Sequence, residues 1–594
     1  MDITVSFWLG AVIFLGSGAL ALWLTTHKQH RGMLDPLNVL FAGVLLSAVV
    51  LFVPGYFVVE EEGPFRYLKS ILFSFYSAIR LFAAEGDYSV IYDTIDIGPV
   101  TPWYLVLTSV LMVLAPALTF GVVLSVLGNI SSTFRYLTAY FRDTYVFSEL
   151  NDQSLMLAED LKKQNGRIAL VFTDVFEPDG DNAYELQERA RTLGAVLFQK
   201  DILSVKFGLH DPHASLWFFA IAQDESANID HGLQLAELYG HRENTHLYVF
   251  STGSEGEALL SAVHGRTIKV RRVDQIQSLI SRILYDKGHV LFETALPEAD
   301  GTKTISAVVV GMGKHGTAMV KALSWFCQMD GYRVRINGFD RDELAEDRFC
   351  AQCPELMDPR YNGVYVDGEA QYYIRIHSGL EVDTKTFADR IQSLKDATYV
   401  LVALGDDSLN IQTALRLRML FEQCGAKPAI QAIVLSSDKR RALEGLRNYR
   451  GQPYQIDFIG DLESSCSEKV IIDSELEEEA LRRHLRWGNE AEFWGYEYNY
   501  RSSIALAIHA RAKVLCGIAG AGKPEEQLTE QERTQLETLE HRRWNAYMRS
   551  EGYIYSGSPE KSSRNDLAKM HHDLVNFDAL TEEEKRKDSR VGSA

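Results

Sequence analysis

Three stretches without a single charged residue dominate the start of this 594-residue chain: 5–25 (VSFWLGAVIFLGSGALALWLT), 38–59 (NVLFAGVLLSAVVLFVPGYFVV) and 104–128 (YLVLTSVLMVLAPALTFGVVLSVLG). Each reaches the ~20 residues a helix needs to cross a ~30 Å hydrocarbon layer, so residues 1–128 read as a transmembrane domain. The first run does not fit a cleavable signal peptide, because Asp2 is its only early charge and its apolar run is too long. The mean hydropathy of −0.10 hides this oily quarter behind a longer, polar remainder. Residues 1–128 hold 5 Lys+Arg against 9 Asp+Glu, a net −4 that leaves −16 of the total −20 to the rest. That acidity excludes a sequence-independent nucleic-acid binder, and six Cys exclude a disulfide-stapled secreted scaffold.

Between the second and third runs, residues 65–84 (FRYLKSILFSFYSAIRLFAA) are apolar and long enough to cross, yet carry Arg66, Lys69 and Arg80. Two readings stand: a fourth transmembrane helix, or a re-entrant helix lining a pore. Either way the residues after 128 emerge on the side of Arg135 and Arg142, which marks that side as cytoplasmic. An acidic turn follows at Glu85-Gly86-Asp87, ahead of the third charge-free run. Short helix, acidic turn and final span outline a pore loop, in which Glu85 and Asp87 from several subunits would form carboxylate rings that favour cations. The alternative is that these acids only solvate a loop. No TVGYG-type carbonyl filter is present. Pro116 and Gly121 offer a hinge within the third run, and residues 129–143 read as a linker helix at the bilayer surface.

Beyond the linker, strand-like and helix-like patterns alternate twice, over 144–295 and 303–475. Such alternation predicts doubly wound parallel sheets covered by helices, that is, tandem Rossmann-like domains. An internal echo supports duplication: AIAQDESANIDHGLQLAEL (220–238) aligns with VALGDDSLNIQTALRLRML (402–420). In the second copy Gly311-Met312-Gly313-Lys314-His315-Gly316 is G-x-G-x-x-G directly after a strand and opening a helix. Gly311 permits the turn, Gly313 lets a pyrophosphate approach, Gly316 lets the helix pack closely, and Asp340 is placed to hold a ribose hydroxyl. The pattern points to a nucleotide or dinucleotide of NAD, ADP or ADP-ribose type; glycines kept for packing alone are the alternative. The matching turn of the first copy, Ser148 to Gln153, keeps no glycine, and its Glu149 and Asp152 would repel phosphate, so it is assigned a structural role.

This organisation resembles the cytoplasmic RCK (TrkA-N) domains of prokaryotic cation channels and transporters, on the GMGKHG turn with Asp340, the QDESAN and GDDSLN echo, and attachment behind a transmembrane helix. The resemblance implies paired domains in a ring that binds ligand and pulls on the last pore helix, in a homotetramer by analogy. Residues 476–594 are expected to be mostly helical. Within them, LETLEHRRWNAYMRSEGYIYSG and HHDLVNFDALTEEEKRKD resemble the ryanodine-receptor repeat (RyR) domain. The matching positions are Glu540, His541, Arg543, Trp544, Ala546, Gly552 and Tyr553, and His572 stands where that family commonly has proline. The resemblance implies a nucleotide-type ligand module. Trp544, Tyr547, Tyr553 and Tyr555 offer flat faces for a base, and Arg542, Arg543 and Arg549 offer donors for phosphate; a satisfied structural core is the alternative.

Other motifs fail. Gly517 to Lys523 fits G-x4-G-K, but Pro524 replaces the magnesium-binding hydroxyl residue. Cys350-x-x-Cys353 lacks a partner pair, and no metal site is expected. No catalytic constellation is evident, so the chain reads as a non-enzyme. The expectation is a multi-pass plasma-membrane protein with a cytoplasmic C-terminal region: a cation-conducting channel gated by a nucleotide-like small molecule. A non-conducting membrane-anchored sensor is the alternative, and a membrane-tethered NAD-dependent oxidoreductase comes third.

Overall fold

A computed structural model describes residues 3–26, 36–60, 62–85, 89–92, 100–137, 142–174, 181–207, 214–253, 255–256, 267–358, 364–366, 369–370, 372–472 and 474–585. The chain forms two compact units, Met1–Thr138 and Ala139–Ala594.

The first unit is helical: α1 (Ile3–Thr26), α2 (Pro36–Val59), α3 (Arg66–Phe82), the single turn α4 (Ser89–Tyr92) and α5 (Thr101–Leu137). Three stretches within them are long and apolar enough to span a membrane: Ile3–Trp23, Val39–Val59 and Thr101–Thr119. α3 has 17 residues, about 25 Å of helix. It runs back along α2, with Tyr67 beside Phe57 and Phe82 beside Phe41, ring centroids 5.0 and 4.4 Å apart. Its inward face is small and polar (Ser70, Ser74, Ser77) while Leu68, Ile71, Leu72 and Phe75 point outward. That distribution is inside out for water and suited to lipid, where small residues let helices approach and apolar ones meet acyl chains. The serines are satisfied locally: Ser74 donates to the Ser70 carbonyl, and Ser77 hydrogen-bonds Tyr56 at 2.6 Å. The three charges of α3 sit near its ends and are paired, Arg66 with Glu62, Lys69 with Glu60, and Arg80 with Glu85 at 3.6 Å. α5 is continuous through Pro116 and Gly121 to Leu137, so residues 129–137 of the expected 129–143 linker helix continue the third apolar run without a break, whereas 142–143 lie outside any helix.

The second unit holds two parallel sheets. Strands β1 (Thr144–Phe147), β2 (Ala169–Thr173), β3 (Val196–Phe198), β4 (Leu216–Ala220), β5 (Thr245–Phe250) and β6 (Lys269–Val273) are ordered β3-β2-β1-β4-β5-β6. The second sheet begins with the short antiparallel β7 (Leu296–Pro297) against β8 (Lys303–Val310), continues through β9 (Tyr332–Phe339), and is interrupted by the hairpin β10 (Val364–Val366) and β11 (Glu369–Ala370). It is completed by β12 (Tyr372–His377), β13 (Tyr399–Val402), β14 (Ala429–Ile433) and β15 (Ile456–Ile459), in the order β12-β9-β8-β13-β14-β15. Both sheets therefore show the 3-2-1-4-5-6 order of dinucleotide-binding folds. The flanking helices used below are α6 (Asp152–Gln164), α7 (Asp181–Thr192), α8 (Glu225–Tyr239), α9 (Gln275–Lys287), α10 (Lys314–Phe326) and α11 (Asp407–Cys424).

The echoed residues do the same work in both copies. Asn228 accepts from the Ala222 N–H and donates to the Phe250 carbonyl; Asn410 accepts from Leu404 and donates to Ile433. Each thus ties its helix to the ends of two central strands. Glu225 and Asp407 extend this, accepting from Thr252 and from Leu435 and Ser436 in the loops beyond the next strand.

The C-terminal helices α12 (Glu475–His484), α13 (Glu497–Leu515) and α14 (Glu530–Ser550), with the small pair β16 (Ile554–Tyr555) and β17 (Met570–His571), do not form a separate core. Ile508, Leu539, Ala546 and Leu574 belong to the same apolar cluster as Leu323, Phe326 and Ile305 of the second sheet.

Candidate functional site

The glycine turn lies between the C-terminal ends of β8 and β13, where strand order reverses and open α/β sheets bind ligands. Two of its glycines are required by the fold. Gly311 has φ +98°, and a Cβ there would stand 2.4 Å from the Ala403 carbonyl oxygen; one at Gly316 would stand 1.7 Å from that of Gly311. Gly313 differs: it caps α10 with an ordinary backbone and has open space where a side chain would stand. Packing requires a glycine at 311 and 316 and does not require one at 313. Asp340, just after β9, accepts from the N–H groups of Met312 at 2.6 Å and Asp342 at 2.8 Å, fixing the turn.

In the first copy the equivalent turn is tied down by its own side chains. Glu149 accepts from the Asn151 side chain and the Gln223 N–H, while Asn151 caps α6 and reaches the Ile221 carbonyl at 2.7 Å. Lys314, the first residue of α10, extends to this copy, its Nζ 2.9 Å from Thr252 Oγ1 and 3.6 Å from Glu225. Against the opposing effect of partial burial, the Thr252 hydrogen bonds and Lys314 hold the Glu225 carboxyl below its ordinary value.

A second feature, which sequence reasoning missed, is a cavity of about 540 Å³ where β6, α9, α10, α12, α13 and α14 converge. Its walls include Arg271, Arg272, Trp325, Tyr500, Arg501 and Tyr547. A rung of aromatics crosses the first sheet in register, Phe172, Phe147, Phe219 and Tyr248, and ends at Arg271. That guanidinium lies over the rings of Tyr248, Trp494 and Tyr500 and pairs with Glu477. Arg272 pairs with Glu497 at 2.7 Å and Arg501 with Glu551 at 2.9 Å, so the ion pairs cross from the first copy to the C-terminal helices and within them. Burial pushes the Asp274 carboxyl up although Arg272 lies 3.6 Å away. The signal available in the sequence was the Arg271-Arg272 pair inside an otherwise strand-like TIKVRRV, since buried arginines demand partners.

The residues singled out in the RyR-like segment lie mostly inside. Glu540, with 1 % of its surface exposed, takes a two-pronged contact from Arg543 at 2.9 and 2.7 Å, with Lys513 3.6 Å away. Burial lowers the Lys513 and His509 pKa values, the latter far below its ordinary range. His541 bonds the Val575 carbonyl at 2.9 Å, and Tyr547 packs edge-on to Trp325. Arg542 and Arg549 are held by Asp330 and Glu355 of the second copy at 2.6 and 3.2 Å. The three arginines read as phosphate donors are thus held in ion pairs, because α14 packs its charged face against Asp330 and Glu355 of the second copy and pairs Arg543 with Glu540. Trp544 and Tyr553 remain half-buried.

In the first unit, Glu85 is exposed and paired with Arg80, while Asp87 lies outside the described residues. The Gly517–Lys523 stretch follows helix α13 rather than a strand, and Lys523 pairs with Glu532. Cys353 is buried and donates to the Ser550 carbonyl, with burial pushing its thiol up to about 11. A scan against protein-family models and a search of curated proteins each return no match to this chain.

Proposed function

We propose that the chain is a ligand-gated cation channel whose C-terminal unit senses a nucleotide-like molecule, in keeping with the RCK and RyR resemblances. The observation that carries the sensing is Gly313: alone of the three turn glycines, it faces open space, beside helix N–H groups and the anchored Asp340. Phosphate oxygens at this turn would compete for Lys314, whose ammonium now rests on Thr252 and Glu225 of the first copy. Binding would thereby release a contact between the two copies. A ligand shifts an equilibrium only through such differential contacts.

Calorimetry of the purified protein with ADP, NAD and ADP-ribose tests the sensing. Saturable binding that is lost in Gly313→Val supports it, and equal binding by wild type and variant removes the turn from consideration. Planar-bilayer recording tests conduction: ligand-dependent cation current that changes ion preference in Glu85→Gln supports a channel. Binding without current favours the non-conducting sensor, a reading to which the Arg80–Glu85 pair lends weight, because it offsets one of the two carboxylates expected to attract cations.

A further inference from the structure

His572, which stands where RyR-type segments commonly carry proline, sits beside two other potential metal ligands in an arrangement the nucleotide reading does not use. His571 ends β17 and meets the edge of Trp544, ring centroids 5.0 Å apart. The His572 ring stacks on it at 4.9 Å and 8°. Both histidines are 4 % exposed. Among the described residues neither ring nitrogen of His572 has a hydrogen-bond partner, although Nε2 stops 3.3 Å from the Asp573 carboxylate. The same carboxylate lies 4.0 Å from Nδ1 of His571, which accepts the Asp573 N–H at 3.1 Å. Buried polar atoms are ordinarily satisfied, so a doubly unpartnered imidazole next to a carboxylate marks a place prepared for another species.

We propose that His571, His572 and Asp573 bind one first-row divalent cation of the zinc type. Two imidazole nitrogens and one carboxylate oxygen are the donors such ions take, and three protein ligands leave a fourth position for water. One potential donor atom from each residue lies within 4.8 Å of the other two. With metal–ligand bonds of about 2.0–2.1 Å, tetrahedral donors stand about 3.4 Å apart, so the triad has to draw in by up to about 1.4 Å. Asp573 is the most exposed of the three side chains and gives the ion its way in. A bound ion would clamp the segment after β17 against Trp544.

The test uses the full chain in detergent, without a polyhistidine tag, stripped by chelator and titrated with Co²⁺ and then Zn²⁺. One equivalent of Co²⁺ should develop visible absorbance that Zn²⁺ abolishes. His572→Pro and Asp573→Asn should each weaken Co²⁺ binding by at least about 10-fold, whereas Cys350→Ser/Cys353→Ser should not. Wild type that binds no ion, or binds it no better than His572→Pro, overturns the proposal. If the proline variant loses its native circular dichroism, His572→Gln provides the same comparison.

Discussion

At the scale of single residues, the glycine turn separates fold from function in a way mutation can read. Gly316→Ala would drive a methyl group into the Gly311 carbonyl at 1.7 Å, and Gly311→Ala would add strain at φ +98° to a 2.4 Å clash. Each should cost about 3 kcal/mol or more, seen as a fall in thermal midpoint of the C-terminal unit. Gly313→Ala meets nothing, so its stability should stay within about 1 kcal/mol of wild type, with only a weaker cap for α10. Nucleotide affinity, measured on the same samples, should nevertheless fall. Asp340→Asn replaces a carboxylate that accepts two backbone N–H groups at 2.6 and 2.8 Å by a side chain with one acceptor and an amide facing a donor. A loss of about 1–3 kcal/mol is expected by chemical denaturation.

Helix α14 decides matters at the scale of elements. It was legible in the sequence as a helix with a charged, aromatic face, and charged faces ordinarily meet solvent. Here Arg542 and Arg549 are claimed by Asp330 and Glu355, and Arg543 by Glu540, so the face is buried as a set of pairs. Removing one member leaves uncompensated charge: Glu540→Ala strands Arg543 and Lys513 and should destabilise the unit by about 3–5 kcal/mol in denaturant melts. Helix α5 poses the complementary question. It carries Pro116 within a 37-residue helix, and a proline there removes one backbone hydrogen bond. On the proposed channel reading, Pro116→Ala should stiffen the helix and alter open probability in bilayers, and because binding and opening are coupled, apparent ligand affinity measured by calorimetry should shift with it.

At the scale of the whole molecule, acid should unfold the C-terminal unit early. Burial, aided by Lys269, pulls His246 down to about 4, and burial with Arg390 and Arg375 does the same to His377. A histidine whose folded pKa lies below its unfolded value of about 6.5 contributes stability that is present above that value and lost as pH falls toward 4. After allowance for solvent screening, each of these rings accounts for about 1 kcal/mol, so melts recorded from pH 7 to 4 should shift steadily downward. A flat profile would show that the rings titrate normally. The sequence by itself determined the apolar spans, the doubled strand–helix alternation and the glycine turn, because each is a local pattern: hydrocarbon length, period of hydrophobicity, and a backbone angle that glycine permits. It also exposed the echo of Asn228 and Asn410, though their role in tying strand ends together needed the folded sheets. Tertiary structure alone decided that α3 runs back along α2, that the C-terminal helices share the core of the second sheet, and that Arg271 closes an aromatic rung beside a cavity. These depend on which distant segments meet, Arg271 with Glu477 or Arg542 with Asp330, and a charge carries no mark in the sequence of whether its partner will be water or another residue some 200 positions away.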